Sequence, residues 1–267
     1  MNRVRGGSFL VAGSCGVVVM ALGLLLQAAA VHAEISDDAK RHFNSGVEYE
    51  KADKADSAIA AYEAAIAEAS EYLDARINVG ALYYQKGSLV KAAKHLEEAI
   101  KLDSTRASAH KNLALVSLKA KEYGSSIAAF NDYLKLKPKD AGAMASLAQA
   151  YKESGDTTKA MATYNAVLKV DAKDHRTAYN LGNLHQKQKK YERAIAAYRK
   201  AIAANPKYVG AYYNLAICSH QVDFETCIED YQAFIKAAGT RKKWSKQVTQ
   251  VKGIIEQITD YLDAQTD

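Results

Sequence analysis

The chain has 267 residues, 36 basic against 30 acidic side chains for a net charge of +6, two prolines and 15 glycines. So few breakers, set among alanine-rich amphipathic segments, exclude a β-rich or low-complexity protein and favour helix. The excess of cations is mild and spread along the chain apart from one local cluster, which excludes the dense basic face of a nucleic-acid binder.

In chain order, Arg3 and Arg5 precede an apolar run from Phe9 to Ala30 that closes on Val31-His32-Ala33, a small-residue ending of the kind cut by signal peptidase. Residues 1–33 are therefore expected to be a signal peptide, with Glu34 the first mature residue. An uncleaved anchor is the rival, because the run is long enough to span a bilayer. A lipid anchor at Cys15 is weaker, since Cys15 lies early in the run. Each reading exports residues 34–267 to the periplasm or the extracytoplasmic side of a membrane. Cleavage removes two arginines and no acid, leaving the mature chain at +4.

From Ala39 onward the sequence repeats itself every 34 residues. A small column runs Gly46, Gly80, Ala114, Ala148, Gly182, Ala216. It faces a second one in Ala58, Ala92, Ser126, Ala160, Ala194 and, one residue early, Cys227. A bulky column follows in Tyr62, Leu96, Phe130, Tyr164, Tyr198 and Tyr231, filling the space beside each close approach. Within one period, Ala178, Leu181, Gly182 and His185 mark one helical face and Tyr191, Ala194, Tyr198 and Ala201 a second. The polar run QKQKK turns between them, and Asn205-Pro206 ends the pair. The units are 39–72, 73–106, 107–140, 141–174, 175–208 and 209–241, the last one residue short. Beyond them Trp244, Val248, Val251, Ile255, Ile258 and Leu262 form a narrow apolar stripe, which predicts a capping helix over 242–264 and a tail to 267.

At these residues the chain resembles the tetratricopeptide repeat family, whose unit carries aromatic, Leu-Gly, Tyr, Ala, Phe/Tyr, Ala and Pro positions in this order. Ser45, Ser126 and Cys227 depart from it. The resemblance implies an all-α fold, an α-solenoid of six helix hairpins in a right-handed superhelix with a C-terminal capping helix. It also implies that the first helices line a concave groove holding an extended or helical segment of another protein.

The groove positions bring forward Phe43, Val47, Ile77, Tyr84, Leu115, Leu118, Tyr179, Asn183, Gln186, Tyr213, Ile217 and His220. Apolar residues at solvent-facing positions point to a ligand. Tyr179 and Tyr213, outside the columns that pack each hairpin, combine with Asn180, Asn183, Asn214 and Gln186 into an amphipathic surface suited to an extended peptide. Phe43, Ile77 and Leu115 offer a second, apolar surface. The asparagine column Asn44, Asn78, Asn112, Asn180 and Asn214 has the alternative of bonding neighbouring backbone. One subgroup of the family clamps a C-terminal carboxylate. Asn183, Asn214 and Lys243 match that clamp, but Tyr179 and Gln247 stand where cations are required, leaving Lys243 as a candidate carboxylate contact.

Cys218 and Cys227, in an oxidising compartment, allow either a disulfide or two buried thiols. Cys218 lies two residues, about 200° of helix, past Ala216, which turns it away from Cys227. No nucleophile elbow, paired metal motif or phosphate loop is present, and the histidines fall in packing columns. Neither catalysis nor a cofactor or metal is therefore expected. The expected role is a protein-interaction scaffold assembling an envelope complex. The alternatives are a structural spacer or membrane-surface adaptor and, more distantly, an exported enzyme. Self-association through the groove stays open. The one basic cluster, Arg241, Lys242, Lys243 and Lys246 around Trp244, is either a solvated helix start or a peripheral contact with an anionic lipid surface or acidic partner.

Overall fold

A computed structural model describes residues 35–266; the leader expected over 1–33 lies outside the described residues. Regular structure there is wholly helical, with thirteen α-helices and one 3-10 turn among the described residues. The helices are α1 (Asp37–Lys51), α2 (Ala55–Glu68), α3 (Leu73–Gln85), α4 (Leu89–Leu102), α5 (Ala107–Lys119), α6 (Tyr123–Leu136) and α7 (Ala141–Glu153). Then follow α8 (Thr157–Val170), α9 (His175–Lys187), α10 (Tyr191–Ala204), α11 (Val209–Ser219), α12 (Phe224–Ala238), the 3-10 turn Lys242–Trp244 and α13 (Ser245–Thr266). The fold is all-α, built of six helix hairpins and a C-terminal helix. None of the described helices is long and apolar enough to cross a membrane.

The described residues divide into two compact units, one ending at Ala75 and one beginning at Arg76. In the first, α1 and α2 form a hairpin whose close approach depends on Gly46, where a Cβ would fall 2.6 Å from the Tyr62 ring. In the second, the hairpins stack as a solenoid. Each second helix packs on the next first helix, α4 on α5, α6 on α7, α8 on α9, α10 on α11 and α12 on α13.

The facing small columns are buried, and the bulky column supplies the largest enclosed side chains, among them Tyr164, Tyr198, Tyr231 and Phe130. Ser126, an odd residue in a small column, donates its hydroxyl to the Ala114 carbonyl of the facing helix at 2.9 Å. That bond lets a polar atom sit inside the hairpin without an unpaired group.

The hairpin turns have their own column. Asp53, Gly87, Lys121, Gly155 and Lys189, spaced by 34 residues, all have positive φ. The left-handed residue reverses the chain after each first helix, and only two of the five are glycine, so side chains at the other three pay a local steric penalty. The sixth turn, one residue shorter, lacks such a residue and is capped by Asp223, which accepts from the Glu225 and Thr226 amides.

The apolar stripe of α13 closes the end. Val251 and Ile258 are buried beside Tyr231, Phe234 and Ala238, with Trp244, Val248, Ile255 and Leu262 packed around them. Trp244 itself belongs to the 3-10 turn that precedes the helix.

Candidate functional site

Two columns on the first helices decide what the groove offers. The first comprises Phe43, Ile77, Lys111, Tyr179 and Tyr213. Phe43 packs within the first hairpin unit, and in the second unit Lys111, Tyr179 and Tyr213 lean toward the junction with the following helix. Phe43 stacks on Tyr72 at 4.9 Å and meets Tyr62 at 5.4 Å. Tyr179 meets Tyr208 edge-on at 5.0 Å and Tyr198 at 5.7 Å. Tyr213 packs on Phe234 at 5.1 Å and Trp244 at 6.1 Å. Lys111, from the same column, bonds Asp140 at 2.8 Å and lies over the Tyr133 ring. Asp140 also accepts from Tyr133 at 2.6 Å and caps α7 through the Ala143 amide. Against the pull of burial, the bonds from Lys111 and Tyr133 hold its carboxyl down at about 2.

The second column runs Glu50, Tyr84, Leu118, Lys152, Gln186 and His220, and it follows the bulky residue of its own hairpin. Where that residue is tyrosine, the column answers its hydroxyl. Tyr62 donates to Glu50, Tyr198 lies 2.6 Å from Gln186 Oε1, and Tyr231 lies 3.0 Å from His220 Nδ1. Where the bulky residue is Leu96 or Phe130 there is no hydroxyl to satisfy, and the column holds Tyr84 and Leu118 instead. The fourth hairpin is the exception, Lys152 pairing with Glu153 at 2.9 Å.

The consequence is one closed station and one open one. At α9–α11 the polar groups satisfy each other. Asn214 Nδ2 donates to the Tyr179 hydroxyl at 3.0 Å and to Asn183 Oδ1 at 2.9 Å, and the Tyr198 hydroxyl sits 2.8 Å from Asn183 Oδ1. Burial pushes the Tyr198 hydroxyl far above its usual value, keeping it a donor. At α3, α5 and α7, Tyr84, Leu115 and Leu118 line an open cavity of about 320 Å3 with Lys119, Lys121, Gln149 and Glu153 at its rim. Lys119 Nζ stands 4.8 Å from the centre of the Tyr84 ring. Neither Lys119 nor Lys121 makes an ion pair among the described residues.

Tetratricopeptide repeat sequence profiles match residues 80–121, 117–181 and 176–208. The chain belongs to the tetratricopeptide repeat family. Among solved structures of this fold, MamA shares 22% identity over 61% of this chain and 95% of its own, with a TM-score of 0.59. YrrB, described as a TPR protein with an unusual peptide-binding site, shares 16% over 72% and 97%, with a TM-score of 0.60. Pseudomonas aeruginosa pilF shares 13% over 81% and 97%, with a TM-score of 0.61. At these identities the likeness is one of fold. No curated protein matches the sequence.

Within this tetratricopeptide array the expected site residues separate. Tyr84 and Leu115 come together in the open cavity. Tyr179 and Tyr213 pack at hairpin junctions, which corrects the expectation that the two tyrosines lack a packing role; Phe43 is engaged by Tyr62 and Tyr72 of its own unit, and Ile77, in the same column, is buried at 7% exposure and offers no groove surface. Asn183, Gln186 and Asn214 bond their own neighbours, and Asn180 faces the buried Tyr164 hydroxyl. For Asn214 the bonds run to side chains, not to backbone. Lys243 lies over the Trp244 ring at 5.6 Å, on the 3-10 turn.

Cys218 and Cys227 are both free and buried. Cys218 packs with Ala194, Tyr198 and Leu215, toward the preceding hairpin, and Cys227 with Ala216 and Tyr231 inside its own. The 200° separation on the helix thus puts them in different layers, and burial raises both thiols to about 11. Lys119 and Lys121 at the cavity rim went unremarked in the sequence. The signal available was Leu96 and Phe130 in the bulky column, which mark the hairpins whose groove residues are free.

Proposed function

We propose that the protein is a non-catalytic scaffold that holds a segment of another protein in the groove formed by α3, α5 and α7. The observation carrying this reading is the apolar wall of Tyr84, Leu115 and Leu118, whose leucines pack on the hairpin core from behind while all three stay half-exposed toward the cavity, beneath two cations that lack counter-ions. Such a wall is better explained by a partner side chain than by stability. An apolar residue accompanied by an acidic one is the complementary chemistry. YrrB, a neighbour in fold, is described as having an unusual peptide-binding site, which supports peptide binding as a use of such an array.

The leader at 1–33 supports placing this scaffold outside the cytoplasm, in the assembly of an envelope complex. Photo-crosslinking in intact cells tests the reading. A crosslinker at Leu115 or Leu118 is expected to trap a discrete protein that one at Lys200, exposed on α10, does not. Equal trapping at both positions, or at neither, overturns it.

A further inference from the structure

Charge is segregated in the last third of the chain. Residues 193–222 carry Arg193, Arg199, Lys200 and Lys207 with no Asp or Glu, and residues 231–255 carry Lys236, Arg241, Lys242, Lys243, Lys246 and Lys252, again with no acid. These two stretches meet in space. Lys207, from the loop before α11, and Arg241 and Lys243, after α12, line one open cavity of about 280 Å3 walled by Tyr208 and Trp244.

No acidic side chain lines this cavity. Lys207, Arg241, Lys242, Lys243 and Lys246 are exposed, and among the described residues none of them forms an ion pair. The Arg241 guanidinium reaches the Ala237 carbonyl at 2.6 Å, closing the end of α12. Unneutralised like charges repel within the folded state, and an anionic surface relieves that repulsion.

We propose that this end of the solenoid docks on anionic phospholipid membranes, with lipid phosphates entering between Lys207, Arg241 and Lys243. Three features favour a lipid surface over an acidic protein segment. The cations are mainly lysines on separate segments, point charges without the forked geometry that selects individual carboxylates. Five exposed cations at one end suit a dense, laterally mobile array of anions. Tyr208 and Trp244 supply amphipathic rings at the depth of the headgroups. The contact is independent of the groove and stands whether or not the groove holds a peptide.

Sedimentation of the full chain with vesicles of pure phosphatidylcholine and with vesicles containing phosphatidylglycerol tests this. An apolar leader partitions onto both, so the difference between them reads the basic surface. Binding is expected on the anionic vesicles, weakening with added salt, with a blue shift in the fluorescence of Trp244, the chain's single tryptophan. Lys207→Gln with Arg241→Gln and Lys243→Gln is expected to lower that binding about a hundredfold. The control Lys135→Gln with Lys137→Gln and Lys139→Gln, which removes equal charge from the α6–α7 region, is expected to leave it unchanged. Should the first triple variant lose helicity by circular dichroism, Lys243→Gln alone, expected to weaken binding about fivefold, takes its place. Equal partition onto both vesicle types overturns the proposal, as does an equal loss in the control. Loss of binding to polyglutamate with lipid binding intact overturns it in favour of an acidic protein.

Discussion

The face at α9–α11 and the face at α3–α7 are made from the same repeat positions, yet one is closed and the other open. At the closed station Tyr198 reaches the groove with a hydroxyl, and Asn183, Gln186 and Asn214 are consumed in satisfying it and Tyr179. At the open station Leu96 and Phe130 demand nothing, so Tyr84 and Leu118 remain available. A residue's place in the repeat sets where it stands; the side chain behind it decides whether it is free.

The largest test falls on the closed station. Tyr179→Ala with Tyr213→Ala removes two aromatic joints and is expected to cost roughly 4 kcal/mol of stability, measured by thermal or urea unfolding. Unchanged melting would return these tyrosines to the surface role their sequence columns suggest.

Gly182→Ala comes next. The new methyl would sit 2.5 Å from the Tyr198 ring, which is fully buried and tethered at its hydroxyl. About 2 to 3 kcal/mol of destabilisation is expected. Gly124→Ala, with no heavy atom within 4 Å of the added carbon, is expected to be neutral or slightly stabilising. Similar effects from the two would mean that the close approach at Gly182 carries no special load.

At the open station the balance inverts. Tyr84→Ala with Leu118→Ala is expected to weaken partner binding by about 2 kcal/mol, by titration with the crosslinked partner's segment, while lowering stability by less than the tyrosine pair does. A stability loss as large as at the closed station, with binding intact, would erase the distinction.

Acid separates the two stations by mechanism. The α5–α7 joint beside the cavity rests on ionised Asp140, whose folded value lies at about 2 against an ordinary 3.8. A depressed carboxyl supplies stability above its unfolded value and loses it as pH falls through the folded one. That joint should therefore weaken between pH about 4 and about 2, whereas the amide and hydroxyl bonds at α9–α11 do not titrate there. Asp140→Ala removes the helix cap as well, and about 1 kcal/mol is expected near neutral pH. Hydrogen exchange resolved by helix checks which joint opens first.

The smallest expected effect is none at all. Reductant leaves melting and intact mass unchanged, and alkylation of Cys218 and Cys227 waits for unfolding because burial raises both thiols to about 11. A mass gain of two protons on reduction would contradict the two-layer placement of the thiols.

Much of this was legible before any coordinates. The period of 34, the small-against-small columns and the bulky filler follow from local spacing, because each hairpin repeats one packing solution and announces it in every copy. The stripe from Trp244 to Leu262 was equally plain, since an apolar face without its own hairpin has to cover a neighbour. Cys218 packs toward the preceding hairpin, away from Cys227, for the same reason: direction around a helix is local. The site was harder. Reading Tyr179 and Tyr213 as free surface followed their absence from the hairpin-packing columns, but their partners lie at the junctions after each hairpin, Tyr208 as the N-cap of α11 and Trp244 on the turn before α13.

Sequence by itself thus determined the hairpins, their order and the helix that closes them, because those depend on contacts between residues close along the chain. Only the tertiary structure decided which groove positions are free, because that depends on three residues at once: the groove side chain, the filler behind it and the residue at the junction before the next helix. It likewise brought Lys207 beside Arg241 and Lys243, more than thirty residues apart, into a single cavity that no local reading of charge could assemble.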